Sequence, residues 1–396
     1  MKDAKRFIKL FIFSQIIRRY KTMNLIELHI LQSFPVSCLN RDDVGAPKTA
    51  YFGGSQRARV SSQAWKRPIR AMAKEFAPGA FAGQRTRFIV RSLEQIYLES
   101  KLAPLAAKEL AIITADSMGK LDDPEKGNVK TLLYFSPQEL ESVTSEVLDK
   151  DYEPVLQIVL DEKSTKKDKD KAKKSLKAFT DKASKKLKAK VKDNADIALF
   201  GRMVADDHSL MVEGAGLFSH ALSTHSVANE IDFFSAVDDN NTADDEGAGH
   251  LGTIEFNSAC YYRYVGLNID MLKDDQHLAH YENDEFNKIV RTFLKAAIMA
   301  VPSARKNSMF AFNPPAYVLG FKRNGQPLSL VNAFEKPVRK SKEGYITESI
   351  DRMNNHWNNL ADTYCLKKQG DIQVSIPKNN IDDFIMALIK EVPSNE

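Results

Sequence analysis

Between Arg41 and Arg70 the chain carries Arg41, Lys48, Arg57, Arg59, Lys66, Arg67 and Arg70, with no acid between Asp43 and Glu75. Arg57 and Arg59 share one face of a short strand over residues 57–60, and Ser61, Ser62 and Gln63 follow at a helix start. The open amides of a helix N-terminus, ringed by guanidinium and ammonium groups, suit a phosphate. Composition alone leaves a second possibility open, a basic surface that meets only solvent.

Other residue sets carry weaker chemistry. Asp42 and Asp43 beside Arg41 could hold magnesium against a phosphate, although capping their own loop is the simpler expectation. The acids Asp238, Asp239, Asp244, Asp245 and Glu246 lack calcium-loop spacing. Gly247, Gly249 and Gly252 spell G-x-G-x-x-G, but an acidic turn precedes them and a strand pattern follows. A dinucleotide site needs strand, turn and helix in that order, so a plain turn is expected. His220 and His225 fall on opposite faces of a strand-like segment, where structural roles are the default. Tyr261, Tyr262, Arg263 and Tyr264 alternate across a strand and could stack bases, yet core packing is expected for at least two. Cys38, Cys260 and Cys365 lie far apart, which fits a reducing, cytoplasmic setting without disulfides or a thiolate zinc site. No metal, cofactor or catalytic residue is expected.

The elements that would position these residues follow from periodicity. Residues 23–31 alternate, with Ile26, Leu28 and Ile30 on one face and Glu27 and His29 on the other, as in a half-buried strand. A loop of about 25 residues follows, punctuated by glycine and proline. In the next helix Trp65, Ile69, Met72, Ala73 and Phe76 form an apolar stripe opposite Gln63, Lys66, Arg67, Arg70 and Lys74. Pro68 would kink that helix, unless the helix begins there. Residues 80–195 read as mostly helical. Strand patterns over 217–227 and 253–265, separated by an acidic turn, predict a projecting β-hairpin. Residues 286–298 and 381–388 have helical apolar spacing, and residues 316–321 read as a strand. Strands at both ends around a helical middle predict a discontinuous α+β fold.

Length and charge add bounds. The chain has 396 residues, 43% hydrophobic, with a mean hydropathy of -0.37. That predicts a packed core in two ordinary domains, or in one with large insertions. The net charge of +5 hides an asymmetry: residues 163–192 hold 14 lysines against three aspartates, so the remainder is acidic. This segment is expected to be an exposed helix, docked by Leu176, Phe179 and Leu187, that either meets a polyanion or serves solubility. Residues 1–22 contain an apolar run, Phe7–Ile17, broken by Lys9 and followed by Arg18, Arg19 and Lys21. It is too short to span a bilayer and lacks a signal-peptide cleavage pattern. An extension outside the fold is expected; a membrane-surface anchor is the alternative.

Taken together, the blocks SCLNRDD, KTAYFGG, RARVSSQAWKR, DIALFGRM, HALSTH, IDFFSAVDD, HLGTIEFNSACYYRY, AFNP and NAFEK resemble the CasC family. These are backbone subunits of Cascade, the type I-E CRISPR surveillance complex. The resemblance covers the chain from Met23, with 80–195 matched only loosely. It implies a modified RRM-like (ferredoxin-like) palm over 23–79, 215–226 and 252–396. A helical fingers insertion would occupy 80–214 and a β-hairpin thumb 227–251. It also implies head-to-tail assembly of several copies along a CRISPR guide RNA (crRNA), held for pairing with target DNA. The other Cascade subunits, of CasA, CasB, CasD and CasE type, would be partners. The family's RNA-contacting positions fall on Arg41, Lys48, Ser61, Gln63, Lys66 and Arg70, with an apolar wedge on Met203 and a thumb contact on Ser235 beside Phe234. Arg57, Arg59 and Arg67 join this set from the basic cluster. Lys173, Lys174 and Lys177 stand where related proteins carry lysines facing target DNA. The expected role is non-catalytic. The rival is a metal-dependent endoribonuclease, since related CRISPR backbone subunits cleave RNA through an aspartate.

Overall fold

A computed structural model describes residues 22–123, 126–186, 194–203, 211–236, 250–305 and 307–390. The chain opens with strands β1 (Met23–Ser37), β2 (Thr49–Phe52) and β3 (Ser55–Val60) and helix α1 (Ser62–Phe76). A helix-rich stretch follows: β4 (Gln84–Thr86), α2 (Ile89–Glu99), α3 (Pro104–Met118), β5 (Leu121–Asp123), β6 (Asn128–Val129) and β7 (Leu133–Phe135). It continues with α4 (Pro137–Leu148), α5 (Glu153–Leu160), α6 (Lys166–Lys186) and α7 (Ala195–Phe200). Next come β8 (Gly216–Phe218), β9 (Ala221–Ser223), β10 (Glu230–Ala236) and β11 (His250–Asn268). The chain ends with α8 (Ile269–Leu272), α9 (Asn283–Met299), β12 (Tyr317–Gly325), α10 (Ile346–Thr363), β13 (Ile372–Ile376) and α11 (Ile381–Ile389). This is the expected mix of helices with a large antiparallel sheet.

Two compact units result. Among the described residues, the first comprises those up to Met72, from Gly216 to Asp270 and from Phe293 on, and the second those from Ala73 to Ala215 and from Met271 to Thr292. Residues 271–292, expected within the palm, thus group with the helix-rich unit.

The first unit is built on one sheet of order β13-β12-β1-β11-β9-β3-β2, with β10 and β8 also paired to β11. Strand β1 lies at its centre, antiparallel to both β11 and β12. It is therefore buried on both faces rather than one, and Glu27 and His29 are buried with it. Burying a carboxylate demands a partner. Arg323 on β12 pairs with Glu27, whose Oε1 also accepts the Tyr264 hydroxyl (2.7 Å) and the Leu328 amide (2.9 Å). The Tyr262 oxygen accepts the Leu330 amide (2.8 Å) and shares a hydrogen bond with His29 Nδ1 at 3.0 Å. Burial, aided by the Arg323 charge, lowers the His29 pKa to about 3. In the unfolded chain it titrates near 6.5. His29 therefore contributes no penalty above pH 6.5. As the pH falls from there toward 3, the unfolded chain alone takes up its proton, and stability drops by about 1.4 kcal/mol per pH unit. Urea midpoints between pH 7 and pH 4.5 should show this slope, flattened in His29→Gln; equal slopes in both proteins would contradict it.

All four residues Tyr261–Tyr264 are buried, so base stacking is closed to each of them. Tyr262 and Tyr264 pack with Leu31, Phe321 and Trp357 on one side of the sheet. On the other side Tyr261 meets Phe34, and the Arg263 guanidinium lies 4.1 Å from the Trp65 ring. Arg263 donates to the carbonyls of Ala297 and Ile298 (both 2.9 Å) near the C-terminus of α9. The negative end of that helix dipole offsets a buried charge whose pKa burial lowers to about 9.

The loop expected after β1 is shorter than its composition suggests. Strand β1 runs on to Ser37, and β2 and β3 form a hairpin that leaves only residues 38–48 as loop. Gly53 and Gly54 turn it with φ of +57° and +72°, the paired left-handed conformation that two-residue hairpins need. A Cβ on Gly53 would fall 1.7 Å from the Glu335 carbonyl oxygen, so a side chain is excluded there.

In the second unit Ile89, Leu93, Tyr97, Leu110, Val143 and Leu176 belong to a continuous core of helices α2 to α6. The lysine-rich segment forms α6 and docks through Ala172, Leu176, Thr180 and Ala183, with Phe179 packed against them. Leu187 lies outside the described residues. Among the described residues no helix is long and apolar enough to cross a membrane.

Candidate nucleic-acid interface

Strand β3 runs straight into α1, and Ser61 caps the junction. Its Oγ accepts the Ala64 amide (3.3 Å), while its own amide donates to Asn40 Oδ1 (2.9 Å). The amides of Ser62 and Gln63 then stand in an open first turn with no earlier turn to accept them. The 38–48 loop is braced against the same junction. Lys48 N donates to the Asn40 carbonyl and Arg59 N to the Lys48 carbonyl, both at 2.8 Å. Asp42 Oδ1 accepts the amides of Val44 (3.0 Å) and Ala46 (2.9 Å), the loop-capping role expected of it.

Helix α1 runs from Ser62 through Pro68 to Phe76, so the basic face starts at Ser62 rather than at Pro68. Trp65, Ile69 and Ala73 are buried and Met72 half-buried, as the stripe predicts, but Phe76 at its end is exposed. Gln63 and Arg67 are exposed. Lys66 lies with its Nζ 5.0 Å from the centre of the Phe218 ring, and Arg70 is half-buried one turn further on. Arg41 is exposed and Lys48 half-exposed. The helix start, the loop and the face of α1 thus bring Arg41, Lys48, Arg59, Ser61, Gln63, Lys66, Arg67 and Arg70 onto neighbouring elements of one unit.

Arg57 departs from its expected place. It is fully buried, and burial lowers its pKa. Its Nε donates to Ser55 Oγ (3.0 Å) and the Phe52 carbonyl (3.3 Å), and Nη1 to the Ser223 carbonyl (3.0 Å). Its Nη2 donates to the carbonyls of Phe334 (2.8 Å) and Glu335 (3.0 Å). The guanidinium ties β3 to β9 and to the 334–335 segment and presents no donor to a phosphate. Arg59, two residues on, faces outward: its Nε donates to the Thr49 carbonyl (3.2 Å) and its Nη1 to His220 Nδ1 (3.1 Å).

His220 is a member of this surface that sequence reasoning misses. Its signal is the register: Arg59 pairs with Leu222 and Val60 with Ala221, which sets His220 across from Ser61. It is exposed, and partial burial, then Arg59, then Lys48 hold its pKa below the usual histidine value. His225 lies on the buried side, its ring stacked 3.6 Å from that of Tyr345.

The hairpin expected after residue 227 forms between β10 and β11, from Glu230↔Phe256 to Ala236↔His250. Asn229 ties its base to the 38–48 loop, donating to the Pro47 carbonyl (3.2 Å) and to Glu255 (3.0 Å). Ile231 and Phe233 are exposed on one face. On the other, the Phe234 ring covers Gly252, where a Cβ would come within 2.5 Å of it. Gly252, the last glycine of the G-x-G-x-x-G, is thus a seat for an aromatic ring within a strand. Ser235 follows, exposed. Residues 237–249, including the acids from Asp238 to Glu246, lie outside the described residues.

In the second unit Met203 is 81% exposed. It follows a rigid foot: Gly201, with φ +76°, ends α7, and the buried Arg202 pairs with Glu139 at 2.7 Å. Glu139 also closes the capping box with Ser136 at the start of α4. On α6, Lys173 pairs with Glu109 (3.2 Å), Lys177 pairs with Asp116, and Lys174 is exposed. Such surface pairs exchange at little cost.

The antiparallel sheet of the first unit thus carries both a basic helix start and a hairpin with exposed Ile231 and Phe233. The chain belongs to the CT1975-like protein family, whose model matches residues 26–392. It is similar, at 26% identity and a TM-score of 0.76, to a chain of a CRISPR RNA-guided surveillance complex in a pre-nicking state; the match covers 92% of this chain and 100% of that one. A second chain, from a CRISPR RNA-guided surveillance complex, shares the fold at 22% identity and a TM-score of 0.64, covering 92% and 99%. A search of the curated proteins found no match. These findings bear out the resemblance to Cascade backbone subunits.

Proposed function

We propose that this protein is a non-catalytic backbone subunit that binds CRISPR guide RNA in a Cascade complex of type I-E. Copies assemble head to tail along the RNA and present it for pairing with target DNA in antiviral defence, alongside subunits of CasA, CasB, CasD and CasE type. The observation that carries this reading is the basic surface around the start of α1, drawn from a stretch with no acid between Asp43 and Glu75, on a chain that matches a surveillance-complex chain over that chain's whole length. Phosphates meet Arg41, Lys48, Arg59, Arg67 and the capped helix start at Ser61 and Gln63, with Lys66 and Arg70 along the helix face. Contacts of this kind hold any sequence equally, leaving sequence to base pairing. The exposed Met203 is an apolar wedge beside a displaced base, and Phe234 and Ser235 on the hairpin reach over the RNA held by the neighbouring copy. Lys173, Lys174 and Lys177 meet target DNA, Lys173 and Lys177 exchanging their carboxylate partners for phosphates. The RRM-like ancestry of the palm and a cytoplasmic location belong to the same proposal.

Incubating the purified protein with single-stranded RNA and magnesium tests the non-catalytic part. Bound, intact RNA is expected; cleavage that disappears in Asp43→Ala would replace this reading with a metal-dependent endoribonuclease.

A further inference from the structure

We propose that His220 is a proton-linked contact to the RNA phosphate backbone, completing a three-sided cradle with Arg59 and Lys48. The proposal rests on the guide-RNA reading above and adds a residue and a pH response to it.

Arg59 donates to His220 Nδ1, so the neutral imidazole carries its proton on Nε2, the nitrogen turned away from Arg59. Continuing the register of Arg59↔Leu222 and Val60↔Ala221 by one residue brings His220 level with Ser61, the cap of α1. The charges that face it are Arg59 from β3 and Lys48 from the 38–48 loop, and no carboxylate among the described residues contributes to its titration. Three donors on neighbouring elements form a site for an anion with several acceptor oxygens. An RNA phosphodiester has that chemistry.

The consequence is a linkage. Without RNA, protonating His220 adds a third cation beside Arg59 and Lys48 and turns Nδ1 from acceptor to donor, which breaks the bond to Arg59. A phosphate across the three groups compensates those charges and raises the imidazole pKa. Between the free and bound pKa values RNA binding therefore takes up a proton. Affinity rises as the pH falls through the bound value and levels off below the free one.

The test is affinity for an oligouridine RNA, whose bases and phosphates keep one protonation state between pH 5.5 and pH 8, at fixed ionic strength. Wild type should bind about tenfold more tightly for each unit by which phosphate raises the His220 pKa. Calorimetry in buffers of unlike ionisation heat should record uptake of up to one proton per copy. His220→Gln, with an unchanged urea midpoint at pH 8, should lose both effects, and His220→Lys should hold one affinity across the range. Equal pH slopes in wild type and His220→Gln, with both binding RNA, would overturn the His220 contact and leave the RNA reading intact. No RNA binding at any pH would overturn both.

Discussion

Replacing Arg57 with methionine is expected to destabilise the protein by about 3–5 kcal/mol while leaving the salt dependence of RNA binding unchanged. The stem of Arg57 is matched by methionine, but the carbonyls of Phe52, Ser223, Phe334 and Glu335 lose their donor inside the fold. Each buried acceptor left unpaired costs about 1–3 kcal/mol, and neighbours relax together, so the sum stays below the full total. Urea unfolding gives the first quantity and RNA titrations at several salt concentrations the second. An ordinary phosphate contact would behave in the opposite way: normal stability, and a slope of log affinity against log salt smaller by about 0.7. That pattern would return Arg57 to the RNA surface and remove the structural role assigned to it.

The double change Lys66→Ala with Arg70→Ala is expected to do what Arg57→Met does not. Taking two phosphate-binding cations from the face of α1 should reduce the salt slope by about 1.4 and weaken RNA binding by roughly an order of magnitude at 0.15 M salt. Folding should be little affected, because the helix keeps Trp65, Ile69 and Ala73 in the core and alanine favours the helix. An unchanged slope in the double variant would place the RNA elsewhere on the molecule.

These two predictions divide along what is legible in the sequence. Local signals are legible. The Ser61 cap, the Asp42 turn, the buried stripe at Trp65, Ile69 and Ala73, and the core face of α9 from Phe286 to Ile298 each depend on residues a turn or two apart. The basic cluster is legible because its charges adjoin in sequence. Arg57 is not, because three of the carbonyls that bury it come from Ser223, Phe334 and Glu335, which only the sheet brings near. The same holds for β1. Alternation suggests a wet face with Glu27 and His29, yet Arg323 and the tyrosines of β11 cover them from more than 200 residues away. Pro68 misleads in the other direction: one missing backbone donor is tolerated in a helix fixed by Trp65 and Ile69 on either side. The place of His220 on the basic surface is not legible in the sequence because its partner, Arg59, lies 161 residues earlier. The DNA-facing lysines are visible as charge, but the pairing of Lys173 with Glu109 is not.

The central claim is that this chain coats a guide RNA in ordered copies. The most direct measurement is co-expression with a CRISPR array and the partner subunits, followed by purification, nuclease digestion and sizing of the protected RNA. A protected RNA of uniform guide length, bound to several copies of this chain, is the predicted result; ragged, weakly held RNA or RNA cut at regular intervals would contradict it.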